Sequence, residues 1–429
     1  MLETLFRLKE NRTTVRTELV AGATTFLTMA YIVLVNPQIL AAAGMDKGAV
    51  FVATCLASAG ATLFMALYAN YPLALAPGMG LNAYFTYGVV LGLHYRWQVA
   101  LGAVFLSGCL FLVLSVTKVR EWIIGTIPMS QKIAISAGIG LFLGIIALED
   151  AGIVVASPAT LVTLGNLKAP STLLAAAGFV VMVALDRRRV PGAIIIAVIA
   201  ASAAGMLLRV SPFGGIASLP PSLGPTFLAL DLRGALDIGF ATIVFVFLFV
   251  DLFDNTGTLV GVAYRAGLVE PDGTIPRLGR VLVVDSAASI AGSLLGTSTV
   301  TSYIESAAGV KAGGRTGLTG VAVAALFLLT LFLAPLAGSV PIYATAPALL
   351  FVACLMARGF TELDWDDVTE YAPAVVTAVT MPLTFSIANG IAFGFITYAA
   401  VKLLSGQWRD ASPSVLLLAA IFVVKYAFF

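Results

Sequence analysis

Four carboxylates and one amide stand in sequence that is otherwise soluble in lipid: Asp251, Asp254, Asp285 and Glu305, with Asn82 closing the string Ala76-Pro-Gly-Met-Gly-Leu-Asn82. An ionisable side chain at membrane depth costs roughly 2.5–3.5 kcal/mol on insertion scales, so where one persists it faces a cavity and acts on a solute or a proton. Asp251 and Asp254 are three residues apart and on a helix share one face with Thr258. Two carboxylates that close in low dielectric resist joint ionisation, so a proton is readily held by the pair, which is the chemistry of proton coupling. The structural alternative for either is capping or stapling of a broken helix. Asp285, near the start of an apolar segment, fits a structural hydrogen bond as well as a coupling role. Glu305, one turn into a short segment, can reach a ligand held at the preceding break.

Asn82 donates and accepts at once, the property that reads a purine or pyrimidine edge; a hydrogen bond between helices is its structural alternative. Gly80 permits close approach of a ligand to the backbone, and Thr301 and Ser302 carry hydroxyls in the second break. Tyr84, Phe85, Tyr87 and Tyr303 lie near the breaks and offer flat faces to a base, although aromatic residues in spans more often pack or anchor, and one stacking residue among them is expected. His94 falls in a loop with Tyr95-Arg96-Trp97, an interfacial setting.

The elements that must position these groups follow from composition. Hydrophobic residues are 60% of 429 and charged residues 11%, and apolar runs of spanning length recur along the whole chain. These runs predict an all-α polytopic membrane protein with spans near 19–40, 49–69, 77–93, 97–117, 132–149, 171–186, 191–209, 237–263, 281–296, 302–310, 316–335, 341–357, 371–386 and 388–404, plus an apolar run at 413–428. The first run is too long and lacks the small-residue site of a removable signal. Arg7, Lys9, Arg12 and Arg16 precede span 1; Lys118 and Arg120, Arg187 to Arg189, Arg265, Arg277 and Arg280, and Lys311 and Arg315 follow even-numbered spans. That asymmetry predicts a cytoplasmic N-terminus. Cys55, Cys109 and Cys354 sit in apolar runs and read as packed thiols, with no disulfide or metal framework.

Spans 3 and 10 are abnormal. Each is short and follows helix-breaking residues: Pro72 and Ala76-Pro-Gly-Met-Gly80 in one case, Gly296-Thr-Ser-Thr-Val-Thr-Ser302 in the other. Both predict half-helices entered through extended backbone. Pro77 to Thr297 is an offset of about 220 residues, and the starts of spans 1 and 8 are separated by about the same, so seven spans followed by seven form an inverted repeat. Paired broken helices at matching positions mark a midplane binding site in a secondary transporter. Their extended lead-ins offer N–H and C=O groups with which a heteroaromatic ring edge could pair as a neighbouring strand would.

The strings Leu75-Ala-Pro-Gly-Met-Gly-Leu-Asn-Ala-Tyr-Phe85, Asp251-Leu-Phe-Asp-Asn-Thr-Gly-Thr-Leu259 and Ser302-Tyr-Ile-Glu-Ser-Ala-Ala-Gly-Val310 resemble the azaguanine-type purine permeases, the adenine, guanine and hypoxanthine branch of the nucleobase-cation symporters. The opening Arg16-Thr-Glu-Leu-Val-Ala-Gly-Ala-Thr-Thr-Phe-Leu-Thr-Met-Ala-Tyr31 and the late Met381-Pro-Leu-Thr-Phe-Ser-Ile-Ala-Asn-Gly-Ile-Ala-Phe-Gly394 extend the resemblance nearly end to end. It implies a 7+7 fold in core and gate domains. The core is expected from 19–117 (spans 1–4) and 237–335 (spans 8–11), the gate from 118–236 (spans 5–7) and 336–429 (spans 12–14 and the C-terminal run), after a cytoplasmic segment 1–18. It also implies a purine site between spans 3, 8 and 10, proton symport and an elevator-like movement. Residue by residue, it carries essential polar roles onto Asn82, Glu305 and an acid within Asp251 to Asp254. The wider uracil and xanthine group favours Asp254, which precedes Gly257 by three; Glu305 departs from that group's spacing by lying four before Gly309.

These lines converge on a plasma (inner) membrane importer of purine bases driven by protons, a monomer or homodimer without a cofactor beyond the coupling ion and without nucleic acid as a partner. The same fold carrying uracil, xanthine or an anion is the alternative. An anion carrier would be expected to lack acids at the site or to place a base there. An intramembrane enzyme would need a nucleophile and base or a metal set, and the chain has one His and no H-E-x-x-H string.

Overall fold

Five of the spans begin where the sequence offers the first turn a side-chain acceptor. In the computed structural model Thr14 accepts from Thr17 N at the start of span 1, Asp46 from Ala49 N at span 2, Thr316 from Leu318 N at span 11, Asp367 from Thr369 N at span 13 and Ser386 from Asn389 N at span 14. The structure describes residues 2–117, 127–237, 240–265, 275–407, 409 and 411–428, excepting the side chains of 237, 240–242, 253–257, 260, 261, 263–265, 425 and 428. Lys118, Arg120 and the side chains of Asp254 and Arg265 lie outside the described residues.

Span 1 is split into Val15–Met29 and Ile32–Ala42. Span 2 is Lys47–Ala69, span 4 Trp97–Val116, span 5 Met129–Asp150, span 6 Pro170–Arg187 and span 7 Ala193–Leu207. Span 8 is Phe240–Arg265 and span 9 Leu278–Leu295; span 11 is Gly317–Gly338, span 12 Ile342–Ala357, span 13 Val368–Leu383 and span 14 Ile387–Leu404. Among the described residues nine helices are long and apolar enough to cross a bilayer unaided. The apolar run at the C-terminus is a helix, Pro413–Phe428, whose buried Val415, Ala419 and Phe422 define one face, and it packs on span 14.

Spans 3 and 10 are broken as their prolines and glycines predict. Strand β1, Leu75–Pro77, leads into Met79–Ala83 and a π-helical continuation Tyr84–Gly92. A hairpin between spans 5 and 6 contributes β2, Val154–Ser157, and β3, Leu161–Leu164. Strand β4, Val300–Ser302, leads into the six-residue helix Ser306–Lys311 of span 10. The hairpin was not among the expected elements; its β-branched pairs, Val154-Val155 and Val162-Thr163, are the signal that a hydropathy window averages away.

Apolar burial does little to hold helices together in lipid, so contact comes from small residues that let backbones meet. Gly309 of span 10 shows this most clearly: a Cβ there would stand 2.0 Å from Thr25 Oγ1 and 2.6 Å from Ala21 O of span 1. The packing falls into two groups. Span 2 lies against spans 1, 9 and 11, span 4 against spans 8 and 9, and span 1 against spans 10 and 11; span 5 lies against spans 12, 13 and 14, and span 6 against spans 7 and 12. Of the three free cysteines only Cys55 is buried, whereas Cys354 is exposed, which corrects the expectation that all three are packed. Lipid accommodates a thiol as readily as a protein interior does, so hydropathy alone does not separate the two.

Candidate functional site

The two extended lead-ins meet each other. β1 and β4 pair antiparallel, with Leu75 opposite Ser302, Ala76 opposite Thr301 and Pro77 opposite Val300. Gly78 N donates to Thr299 O and Tyr303 N to Ala74 O, each at 3.0 Å, so the ladder extends one step beyond the strands at both ends. By the two-residue alternation of an antiparallel ladder, Leu75, Pro77 and Val300 turn their backbone groups outward. Pro77, lacking an N–H, is therefore tolerated.

Four of those outward groups are already taken. Leu75 N donates to Thr62 Oγ1 at 3.0 Å while the same hydroxyl donates to Leu75 O at 3.1 Å. Val300 O accepts from Ser289 Oγ at 3.0 Å, and Pro77 O from the Tyr303 hydroxyl at 2.5 Å. Four of the backbone groups expected to be open to a ligand ring are thus engaged within the protein. Buried backbone must be satisfied, and here the protein satisfies it with its own strands and hydroxyls.

The expected polar residues gather around that ribbon. Asn82, fully buried, lies one turn into the helix after β1, and its Oδ1 accepts from the hydroxyl of Ser298 in the other lead-in. Thr301 and Ser302 are buried within β4. Glu305, half-buried at the start of span 10, accepts from the hydroxyl of Tyr31 at 2.7 Å through Oε1. Asp251 is buried on span 8, which runs alongside β4, span 10 and the start of span 3. Asp254 is on the same helix, three residues on; its side chain is outside the described residues. Asp285 is buried on span 9, one turn before Ser289, and so stands behind β4.

Gly80 and the aromatic residues show which surfaces remain open. A Cβ on Gly80 would stand 2.5 Å from Ile139 Cγ2, so span 5 closes directly over the entry to span 3. Tyr84 packs edge-on against Phe247 of span 8 at 4.9 Å between centroids, and Phe85 is fully buried. The Tyr303 ring is held by its hydroxyl bond to Pro77. Tyr87 meets Phe385 of the turn between spans 13 and 14 edge-on at 6.3 Å. Sequence reasoning missed Tyr31, Ser298, Thr62, Ser289 and Ile139. Tyr31 ends the opening motif and Ser298 lies inside the quoted break, so both were in view; the other three depend on helix rotation.

Two broken spans that meet at a two-stranded ribbon, with Asn82 bonded across it and acids on the adjoining helices, define an inverted-repeat membrane transporter. One solved likeness is the transmembrane domain of a cyanobacterium bicarbonate transporter, BicA, which shares the 7+7 fold with a TM-score of 0.66 at 18% identity, over 86% of this chain and 96% of that one. The family model Xan_ur_permease, described as Permease family, matches residues 16–393, and the chain belongs to that family. Adenine permease AdeP of Escherichia coli (strain K12) is 49% identical over 428 residues, 100% of this chain and 96% of its own length. Guanine/hypoxanthine permease PbuG of Bacillus subtilis (strain 168) is 42% identical over 441 residues and the full length of both. The chain is thus a multi-pass transporter of the nucleobase permease family, and not an enzyme.

Proposed function

We propose that the protein imports purine nucleobases, hypoxanthine, guanine or adenine, across the plasma membrane by proton symport. The observation that carries this reading is a buried amide (Asn82) bonded across the β1–β4 crossing to Ser298, with acids on the two helices that adjoin it, Asp251 on span 8 and Glu305 at the start of span 10. A purine presents N–H donors and ring acceptors on adjacent edges, and an amide beside a carboxylate complements that alternation. The relatives' names, adenine permease and guanine/hypoxanthine permease, point to the same substrate class.

In this reading Asn82, Gly80, Thr301 and Ser302 bind the base with Asp254 or Glu305, and Asp251, Asp254, Glu305 or Asp285 carries the proton. Tyr84 and Phe85 shape the pocket from behind, since both rings are buried in the packing of spans 3 and 8. Spans 1–4 and 8–11 form the moving core and spans 5–7 and 12–14 the gate, in keeping with the two packing groups. Protonation neutralises a site carboxylate, which lowers the cost of carrying the loaded crossing past the apolar surface of span 5, where Ile139 covers Gly80. The N-terminus is cytoplasmic and the assembly a monomer or homodimer. An anion reading has only the shared fold in its favour, and the acids at the crossing oppose it.

The test is uptake of radiolabelled hypoxanthine, guanine, adenine, uracil and sulfate into cells lacking their own carriers, with and without a protonophore. Saturable purine uptake that the protonophore collapses is expected. Purine uptake indifferent to the protonophore overturns the coupling, and uracil or sulfate uptake without purine overturns the substrate class.

A further inference from the structure

The amide of Asn82 is asymmetric in its bonding. Oδ1 accepts from Ser298 Oγ, whereas Nδ2, buried with the rest of a fully buried side chain, has no hydrogen-bond partner among the described residues. Thr299 Oγ1 and Thr301 Oγ1, in the same lead-in as Ser298, are buried and likewise without partners there. A buried polar atom left unsatisfied costs about 1–3 kcal/mol, so two hydroxyls in one lead-in and the amide bonded to that lead-in from the other point to a polar ligand at this place.

An amide's two ends differ little in shape and wholly in chemistry: one accepts, the other donates twice. Which end meets a ligand is decided by what holds the opposite end. Ser298 is well placed to decide it because its own backbone is pinned on both sides. On one side, the Thr297 hydroxyl accepts from Asn36 Nδ2 at 2.9 Å, Asn36 is itself tied to Thr54 at 2.7 Å, and Thr297 N donates to Gly292 O at 2.9 Å. On the other, Thr299 O accepts from Gly78 N and Val300 O from Ser289 Oγ. Ser298 and Asn82 are 216 positions apart in sequence and belong to the two opposed lead-ins, so the bond also fixes one broken span against the other.

We propose that Ser298 is a positioning residue that locks the Asn82 amide with its NH₂ end toward the substrate, so that span 3 contributes a donor and selects bases with a ring nitrogen or carbonyl acceptor at that place. This rests on the purine reading and deepens it. A pyrimidine or purine edge lacking that acceptor would leave Nδ2 buried and unpaired, which disfavours such a ligand by roughly 10- to 100-fold.

The experiment is competition against radiolabelled hypoxanthine or adenine uptake, in carrier-deficient cells, by the parent base and its 3-deaza and 7-deaza analogues, each of which replaces one ring acceptor with C–H. Wild type is compared with Ser298→Ala, Ser298→Thr, Ser298→Cys and Asn82→Asp at matched membrane abundance. Wild type is expected to disfavour one analogue by at least tenfold. Ser298→Ala is expected to narrow that ratio to within about threefold and to raise KM for the parent more than it lowers the maximal rate; Ser298→Thr, which keeps a hydroxyl, restores the ratio. Ser298→Cys supplies the reading if the alanine variant fails to accumulate. Asn82→Asp keeps an acceptor for Ser298 but replaces the donor, and loses parent uptake. Unchanged discrimination in Ser298→Ala or Ser298→Cys overturns the role of Ser298 and leaves purine transport standing, as does a wild type that treats parent and both analogues alike. A wild type that takes up no purine overturns both.

Discussion

The hydroxyl of Tyr31, in the break of span 1, donates to Oε1 of Glu305 at 2.7 Å and joins residues 274 positions apart. Thr28, one turn earlier on span 1, reaches the Glu305 carbonyl at 3.5 Å. The start of span 10 is thereby held against the break in span 1, and a carboxylate that would otherwise swing is fixed in one direction. A hydrogen bond to a charged acceptor contributes about 1.5–3 kcal/mol, more than a neutral one.

If that bond orients Glu305 for substrate, Tyr31→Phe lowers purine uptake roughly tenfold at unchanged membrane abundance. Glu305→Gln lowers it further, and the double variant is no worse than Glu305→Gln alone, because the phenol acts through the carboxylate. Additive losses in the double variant would separate the two residues.

Gly80 supplies a second prediction. Its missing Cβ is what admits Ile139 of span 5, at 2.5 Å from where that atom would be. Gly80→Ala is expected to abolish uptake by wedging spans 3 and 5 apart, and Ile139→Ala, which removes the Cγ2 that the new methyl would meet, to restore part of it in the double variant. A Gly80→Ala protein that transports normally would show that this contact is not needed in the transport cycle.

Much of this architecture was legible beforehand because lipid imposes a simple grammar. Spans must be apolar and of fixed length, so the spans were placed within a few residues, and prolines and glycines ahead of Met79 and Ser306 marked the two lead-ins. What lay beyond reach were contacts set by helix rotation and by pairing across the repeat. Hydropathy says nothing about Thr62 turning toward Leu75, and nothing in the string around Ser298 says that it will meet Asn82. The lead-ins were read correctly as extended and less well as open edges, since their natural partners, each other, are some 220 residues apart.

Glu18, within the segment expected to be merely polar and cytoplasmic, is fully buried. Its carboxylate accepts from Arg315 N at 2.9 Å, Thr316 N at 3.3 Å, Thr319 N at 3.2 Å and Thr319 Oγ1 at 2.6 Å, the open donors at the start of span 11. Glu18→Ala takes this acceptor from all four, leaving Thr319 N only its bond to Thr316 O and the Thr319 hydroxyl only the Glu18 carbonyl, and is expected to cost roughly 3 kcal/mol, seen as a lower melting temperature in detergent and reduced membrane abundance. Glu18→Gln, which keeps one acceptor, falls between. A Glu18→Ala protein as stable as wild type would contradict this role.

A comparable knot closes the far end of spans 13 and 14. Lys402, almost wholly buried, contacts Glu370 Oε1 at 2.7 Å and Thr369 Oγ1 at 2.7 Å, and Glu370 also accepts from Ser130 of span 5 at 2.5 Å and Tyr398 at 3.1 Å. Breaking such a pair from one side leaves a buried charge and costs about 3–5 kcal/mol, so Lys402→Met and Glu370→Gln should each destabilise strongly. Lys402→Met with Glu370→Gln should be milder than the sum of the two. Thermal unfolding in detergent gives the comparison, and simple additivity would mean that the charges do not interact.

The same knot makes a prediction about pH through Asp367, which caps span 13 from outside the membrane segment. Bonds from the Thr369 hydroxyl and backbone N–H, helped by Lys402, hold its carboxyl below the usual carboxylate range. A carboxyl whose folded value lies below its unfolded value contributes stability that is fully present above the ordinary value, about 3.9, and is lost as pH falls through the folded one. Asp367→Asn keeps a cap but removes the titration. It is therefore expected to lower the melting temperature somewhat at pH 7 and to converge on wild type as pH falls, which flattens the acid side of the profile. A variant profile parallel to wild type at every pH would assign the acid loss to other carboxylates, and would leave Asp367 as a cap whose charge contributes nothing.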